Sequence, residues 1–143
     1  MLKYIDHIGI AVRSLDMVKG VFEQIFHLSP LFEETVDEQQ VKVLGYRVGE
    51  SNIEFLEPLS PNSPIAKYLE KRGEGLHHIA IGIEDMESVL KSLKEKQVPL
   101  IDETPRIGAE GKKIAFVHPK GLFGILLELS QNIEKKDRRS HSS

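Results

Sequence analysis

Residues 6–12 and 77–83 carry the same alternation of apolar with small or polar side chains. Each segment has Ile or Val at every second position, which is the pattern of a strand with one apolar face. The opposite face carries one histidine, His7 or His78, beside glycine and alanine. The pattern therefore predicts two related strands, each of which leaves volume next to a histidine.

The first of these strands opens a predicted βαβββ module. Apolar residues at helical spacing follow it, and Ser14 or Asp16 can cap a helix that we expect to run to about Phe26. Short charged segments then separate three further apolar stretches, which predict strands at 31–36, 41–48 and 52–58.

The second half of the chain repeats this order of elements. Asp85 can cap a helix that ends near Lys96. The strands after it are predicted at 98–101, 112–117 and 124–129.

The order of elements predicts an α+β fold made of two tandem βαβββ modules. At 143 residues the chain is expected to form one domain, 1–131. The predicted modules lie at about 3–60 and 74–131, and a linker helix lies at about 63–72. Residues 132–143 are mostly polar and are expected to form a disordered tail.

A glutamate lies within the last apolar strand of each module, Glu54 in the first and Glu128 in the second. A buried carboxylate is costly unless a counter-charge accompanies it. A single buried histidine is more often a core residue than a metal ligand. A single glutamate in a strand can serve to prevent edge-to-edge pairing of the sheet. Recurrence of both in both modules favours a metal site formed by His7, Glu54, His78 and Glu128.

Two neutral imidazoles and two carboxylates balance the charge of one divalent cation. Mixed nitrogen and oxygen ligation suits Co²⁺, Zn²⁺, Ni²⁺, Mn²⁺ or Fe²⁺, and the sequence does not choose among them. Four protein ligands around an octahedral ion leave two positions for water or a chelating substrate, which is typical of a catalytic site.

Three further residues lie close to the predicted site along the chain. His77 shares a strand face with Ile79 and Ile81, so we expect it to be a core residue or to support a ligand. His118 ends a predicted strand and is a candidate for substrate binding. Lys113, which follows Lys112, could contact the phosphates of an anionic substrate, although a solvent-exposed lysine is the simpler interpretation.

Composition restricts the partners and the compartment. The net charge is −3, with 22 acidic and 19 basic residues interspersed, which argues against a dedicated nucleic-acid surface. The apolar runs are too short to span a bilayer, and the first residues lack the apolar core of a signal peptide. The chain has no cysteine, which fits a reducing compartment. We therefore expect a cytoplasmic protein that binds neither nucleic acid nor membranes.

The sequence resembles the vicinal oxygen chelate superfamily and, within it, the methylmalonyl-CoA epimerase family. The resemblance covers about residues 3–131 and is sharpest at 6–12, 63–69, 75–80, 111–120 and 124–129. It implies a cupped mixed sheet with helices on its outer face and a divalent metal inside. It also implies a homodimer and an acyl-CoA thioester substrate.

The resemblance implies both ligands and chemistry. The ligands are His7, Glu54, His78 and Glu128, and the family has either Gln or Glu at the Glu54 position. The reaction is removal of the proton next to a thioester and its return on the other face, through an enolate that the metal stabilises. Glu128 is the implied catalytic base.

The expected second base is missing from this sequence. Some family members have a glutamate where this chain has Val43, and valine cannot move a proton. His118, Glu54 or a water molecule could serve instead.

Two other functions fit the same fold. A glyoxalase I-type lactoylglutathione lyase would use the same ligand set with a glutathione hemithioacetal. A non-catalytic small-molecule-binding protein would need no metal, which the four intact ligand positions argue against. An extradiol dioxygenase uses two histidines and one glutamate around iron, so a fourth protein ligand argues against that activity.

Overall fold

The computed structural model describes residues 1–133, so the predicted tail lies outside the described residues from position 134 onward. Eight strands and three α-helices confirm the α+β class. In chain order they are β1 (Leu2–Ala11), α1 (Leu15–Phe22), β2 (Phe32–Val36), β3 (Val41–Val48), β4 (Ser51–Pro58), α2 (Pro64–Arg72), β5 (Gly75–Ile83), α3 (Met86–Glu95), β6 (Arg106–Ile107), β7 (Lys113–Val117) and β8 (Leu127–Gln131).

The chain forms two compact units, and the first comprises Ile5–Ile79. Its strands follow the order β2-β3-β4-β1-β5. β1 runs parallel to β4, with Gly9 opposite Glu54, whereas β3 runs antiparallel to both β2 and β4. This arrangement places two of the strands that carry predicted ligands, β1 and β4, side by side. The core of the unit consists of Val12, Leu15, Val18, Leu44, Tyr46 and Phe55.

Helix α1 begins as predicted and ends earlier than predicted. The Ser14 hydroxyl accepts a hydrogen bond from the backbone N–H of Met17, at 3.3 Å. Phe22 is the last helical residue, and its ring contacts the rings of Tyr46 and Phe55. Phe26, where the helix was expected to end, is 58% exposed. Short helices are stabilised mostly by tertiary packing. Another turn of α1 would bury little additional surface, so the helix ends at Phe22.

The second unit comprises residues 1–4 together with the described residues from 80 onward. Its strands after α3 follow the order β8-β7-β6, and β7 is antiparallel to both β6 and β8. The side chain of Asp85 caps α3 through the N–H of Ser88. The core of this unit is formed by Ile83, Met86, Val89, Leu90, Ala115, Val117 and Leu129.

Two predicted strands of the second module are corrected. Residues 98–101 make only an isolated bridge, between Leu100 and Val117, and the strand before β7 is Arg106–Ile107. Pro99 has no N–H to donate to a ladder. The last strand begins at Leu127 rather than at 124, because Phe123 and Gly124 adopt left-handed backbone angles in the preceding turn.

Within residues 1–133, none of the helices has the length and apolar character that crossing a membrane requires.

Candidate metal centre

His7 on β1 and His78 on β5 face each other inside the first unit. Their Nε2 atoms lie 3.1 Å apart, and both residues are buried, with 5% and 7% of their surface exposed. The rings meet edge to face, with 5.2 Å between centroids. Gly9 permits this approach, because a Cβ at that position would lie only 2.1 Å from the His78 Cε1 atom. The small-residue face of β1 is therefore the space that the second histidine occupies.

Glu54 joins the cluster from β4, the neighbour of β1. Its carboxylate is 3% exposed, and its Oε2 atom lies 3.3 Å from Nδ1 of His7. Glu54 is therefore next to the His7 nitrogen that does not face His78. The structure therefore places Glu54 and His78 at opposite nitrogens of the His7 ring, within one unit.

Asp6 is a member of the cluster that the sequence analysis did not assign. Its Oδ2 atom lies 2.7 Å from Nδ1 of His7, and the residue is buried. Asp6, His7 and Glu54 each offer a ligand-type atom within 4.8 Å of the others. The signal that could have identified it is the repeat itself, since Asp6 occupies the position that His77 occupies in the second copy.

His77 contacts the other nitrogen of His78. The two Nδ1 atoms lie 2.9 Å apart, so one of them donates a hydrogen bond to the other. The His77 ring is half-buried and meets the ring of Tyr68 edge to face, with 4.8 Å between centroids. Tyr68 belongs to α2, and its hydroxyl donates to the carbonyl oxygen of Leu76. His77 thus lies between a ligand candidate and a helix.

Glu128 lies on β8 of the second unit, opposite Phe116 of β7. Its side chain is buried, with 6% exposed, and Ser130, two residues along the same face, is buried too. Its place in the ligand set and its role as a base stay predictions.

The two candidate substrate-binding residues lie at the ends of β7. The His118 side chain caps a short 3₁₀ turn, Pro119–Gly121, in which its Nδ1 accepts from the N–H of Lys120 at 3.0 Å. A neutral His118 therefore carries its hydrogen on Nε2. Lys113 begins the strand and is half-buried. Their contact with substrate stays a prediction.

Val43 occupies the expected position of the second base in β3. It is 3% exposed, and Leu56 of β4 lies opposite it. The adjacent Lys42 pairs with Glu33, with 3.1 Å between Nζ and Oε2. Neither residue has a carboxylate, so neither can replace the glutamate that some family members have here.

The donor set of the first unit fits a divalent cation. Two nitrogens that are each about 2.1 Å from one ion and 3.1 Å from each other subtend an angle of about 95° at that ion. This is close to the angle between neighbouring positions of an octahedron. Buried carboxylates beside these imidazoles supply negative charge that a cation would compensate. The cluster can therefore hold a metal ion through His7 and His78.

Comparison with known proteins identifies the family of the chain. A sequence model of the glyoxalase/bleomycin resistance protein/dioxygenase superfamily matches residues 6–116. The chain belongs to this superfamily. The match begins at Asp6, beside the first predicted ligand, and extends into β7.

Within the superfamily, the chain is related to methylmalonyl-CoA epimerases. The human mitochondrial methylmalonyl-CoA epimerase is 34% identical over 128 residues, which cover 89% of this chain and 73% of that protein. The uncharacterized protein YqjC of Bacillus subtilis is 44% identical, covering 89% of this chain and 91% of that protein. A solved methylmalonyl-CoA epimerase in complex with methylmalonyl-CoA and NH4+ superimposes with a TM-score of 0.88 at 34% identity, covering 92% of this chain and 96% of that one.

Proposed function

We propose that this superfamily member is a metal-dependent methylmalonyl-CoA epimerase, an isomerase that interconverts the (R) and (S) forms of its substrate. The observation that carries the proposal is the buried pair of facing Nε2 atoms of His7 and His78, in a chain whose relatives include such epimerases. In the reaction, the C–H bond next to the thioester breaks and the proton passes to a base. The electron pair is delocalised as an enolate, and a proton returns to the opposite face.

The proposed ligands are His7, Glu54, His78 and Glu128, around one ion of Co, Zn, Ni, Mn or Fe. The chemistry that such an ion supplies when bound is stabilisation of the negative charge that develops on the enolate oxygen. Asp6 assists by accepting the Nδ1 hydrogen of His7, whereas Glu54 lies 3.3 Å from the same nitrogen and would have to turn toward Nε2 to bind the same ion.

Glu128 is the proposed catalytic base. It is buried on β8, and its strand position matches the family pattern. His118 is a weaker candidate for the second base, because its Nδ1 already accepts from Lys120 and its Nε2 carries the hydrogen. That geometry suits a hydrogen-bond donor to substrate. Glu54 or a water molecule is left as the partner on the opposite face.

The proposed substrate is an acyl-CoA thioester, since the methylmalonyl-CoA epimerase whose solved structure superimposes on this chain is in complex with methylmalonyl-CoA. Lys113 is proposed to contact its phosphates, while the neighbouring Lys112 has its ammonium 3.7 Å from a Glu110 carboxylate oxygen. We also propose a cytoplasmic homodimer without nucleic-acid or membrane partners.

Isotope exchange tests the function directly. The purified protein, loaded with Co²⁺, is incubated with methylmalonyl-CoA in D₂O, and deuterium at the α-carbon is followed by mass spectrometry. We expect incorporation well above that of a protein-free sample and of a chelator-treated sample.

Two outcomes would contradict the proposal. Background exchange combined with conversion of the hemithioacetal of methylglyoxal and glutathione would assign the chain to the glyoxalase I type. Background exchange with no bound divalent metal after purification and loading would assign it to the non-catalytic binding proteins.

A further inference from the structure

The repeat extends one position beyond the two histidines. Asp6 precedes His7 in β1, and His77 precedes His78 in β5, in the same unit. Each of these preceding residues contacts Nδ1 of the histidine that follows it, at 2.7 Å for Asp6 and 2.9 Å for His77. The two contacts use different chemical groups at matching positions of the repeat.

Contacts between a side chain and the ring of the next residue are unusual in strands. Successive side chains of a strand point to opposite faces, so a residue does not ordinarily reach the ring of its neighbour. Here both preceding side chains do so, and both rings direct their other nitrogen, Nε2, at the same place.

The Asp6 contact determines which nitrogen of His7 carries the hydrogen. An ionised carboxylate only accepts, so the hydrogen of a neutral His7 lies on Nδ1 and the lone pair lies on Nε2. His78 reaches the same state when Nδ1 of His77 accepts from it. Both Nε2 atoms then carry lone pairs 3.1 Å apart, and one cation beside the pair could bind both of them.

We propose that Asp6 and His77 are matched positioning residues, which hold His7 and His78 in the tautomer that binds one divalent cation through both Nε2 atoms. The inference rests on the metal site of the proposed function. Outer partners of metal-bound histidines fix the tautomer and the ring orientation, and their loss typically weakens metal binding by about 10–100-fold.

His77 is itself held in place. Its ring rests against the edge of Tyr68, and Tyr68 is tied to the backbone of β5 through its hydroxyl bond to the Leu76 carbonyl. Helix α2, which Ser63 caps through the N–H of Ile65, carries Tyr68. The position of His77 therefore depends on α2 as well as on β5.

The same distances also allow a chain of hydrogen bonds without a cation. In that arrangement His77 donates to Nδ1 of His78, and Nε2 of His78 donates to Nε2 of His7. The two arrangements predict different consequences for metal binding when the acceptor at position 77 is removed, so an experiment can separate them.

The experiment compares the wild type with two matched pairs of variants. His77→Asn keeps an acceptor oxygen near the place of Nδ1, whereas His77→Leu removes it. Asp6→Asn keeps an acceptor without the charge, whereas Asp6→Leu removes both. The dissociation constant for Co²⁺ is measured by competition with a chelator, and the visible absorption of bound Co²⁺ reports its ligand geometry. Urea unfolding of the metal-free proteins is measured in parallel.

We expect His77→Leu and Asp6→Leu each to weaken Co²⁺ binding by about 10–100-fold. His77→Asn should recover most of that loss, with a Co²⁺ spectrum like that of the wild type. The recovery separates a positioning role from a structural one, because a loss caused by destabilisation would follow the urea midpoint instead.

Unchanged Co²⁺ affinity in both leucine variants would overturn the inference while leaving the proposed function intact. So would affinity losses that follow the urea midpoints, without recovery in His77→Asn. A wild type that binds no Co²⁺ would overturn the inference and the metal-dependent function together. Weakened variants of a wild type that binds Co²⁺ but does not exchange deuterium would support the inference and contradict only the epimerase.

Discussion

The Nε2 atom of His7 lies 3.1 Å from the Nε2 atom of His78, although 71 positions separate the two residues in the chain. Gly9 makes the approach possible, because no other residue leaves space for the His78 ring. The proposed chemistry depends on this pair, and several expected outcomes follow from it.

Removal of one imidazole should remove the metal. In His78→Ala, we expect metal affinity to fall by more than the roughly 100-fold upper value that is typical for loss of a residue supporting a ligand. Little metal should then remain after dialysis, and deuterium exchange should be lost with it. Metal analysis of the dialysed protein measures the first quantity and exchange in D₂O the second. Metal retained at wild-type stoichiometry in this variant would contradict the assignment of His78 as a ligand.

The two glutamates should differ in their response to amide substitution. Glu128→Gln keeps a ligand oxygen but cannot take up a proton, so we expect some metal to remain while exchange falls by about 10²–10⁴-fold. Glu54→Gln is the matched variant, and it should lose far less exchange if a water molecule is the partner on the opposite face, because the family pattern admits Gln at this position. Equal losses in the two variants would assign the opposite-face role to Glu54, whereas exchange at the wild-type level in Glu128→Gln would contradict the assignment of Glu128 as the base.

The space beside Gly9 is already filled, so a methyl group should be costly there. Gly9→Ala places a Cβ 2.1 Å from the His78 ring, and we expect a loss of about 1–3 kcal/mol in the free energy of unfolding together with weaker metal binding. Gly20→Ala in α1 is the control. Nothing lies within 4 Å of its Cβ, so it should stabilise the helix by about 0.5–1 kcal/mol.

Urea unfolding with and without Co²⁺ measures both changes. A Gly9→Ala protein as stable as the wild type and with unchanged Co²⁺ affinity would show that the ring of His78 is not held at the observed position.

Tyr46 should contribute to stability in a pH-dependent manner. Its hydroxyl is fully buried and donates to Oε2 of Glu23 at 2.7 Å, where α1 ends. Burial, followed by this hydrogen bond, raises the pKa of Tyr46 above its ordinary value of 10.0. Above that pH the unfolded chain releases the proton first, so stability should fall by up to about 1.4 kcal/mol per pH unit.

Tyr46→Phe should therefore cost about 1–2 kcal/mol at neutral pH and lose this part of the alkaline dependence. Urea unfolding between pH 7 and pH 11 measures both effects. Tyr4→Phe, a substitution at a residue that is 43% exposed, is the control and should cost little at neutral pH. An alkaline dependence in Tyr46→Phe equal to that of the wild type would contradict the assignment.

Glu33 should contribute to stability in the opposite direction of pH. Hydrogen bonds from Lys19 at 2.8 Å and Lys42 at 3.1 Å lower the pKa of Glu33 below its ordinary 4.5. The contribution is present above that pH and is lost as the pH falls through the lowered value. Glu33→Gln should slightly lower the urea midpoint at pH 7, but not at pH 3 or in concentrated salt.

Glu50→Gln changes the net charge equally, in the exposed turn between β3 and β4, and serves as the control for Glu33→Gln. A midpoint difference for Glu33→Gln that persists at pH 3 would mean that packing, rather than charge, accounts for it.

The sequence predicted elements well where burial of one face produces a regular spacing of apolar residues. β3 matches its predicted limits, Val41–Val48, because turn residues mark both its ends and apolar residues recur along it between Lys42 and Arg47. The caps at Ser14 and Asp85 were predictable because capping is a local interaction between a side chain and the next turn.

Predictions were wrong where a long-range contact decides the element. α1 ends at Phe22 because the rings of Tyr46 and Phe55 accept that side chain and leave Phe26 exposed. The strand at Arg106–Ile107 has only two residues and no period of its own, so pairing with β7 alone defines it.

The sequence by itself determined the repeat, the order of elements and the residue types that can bind a metal, because alternation and helix capping depend on residues that are close together in the chain. Only the tertiary structure decided which atoms meet. That Asp6 and His77 contact Nδ1 while the two Nε2 atoms face each other depends on side-chain directions on adjacent strands. Strand pairing brings together residues far apart in the chain, and the spacing of residues in the sequence does not determine how their rings are oriented.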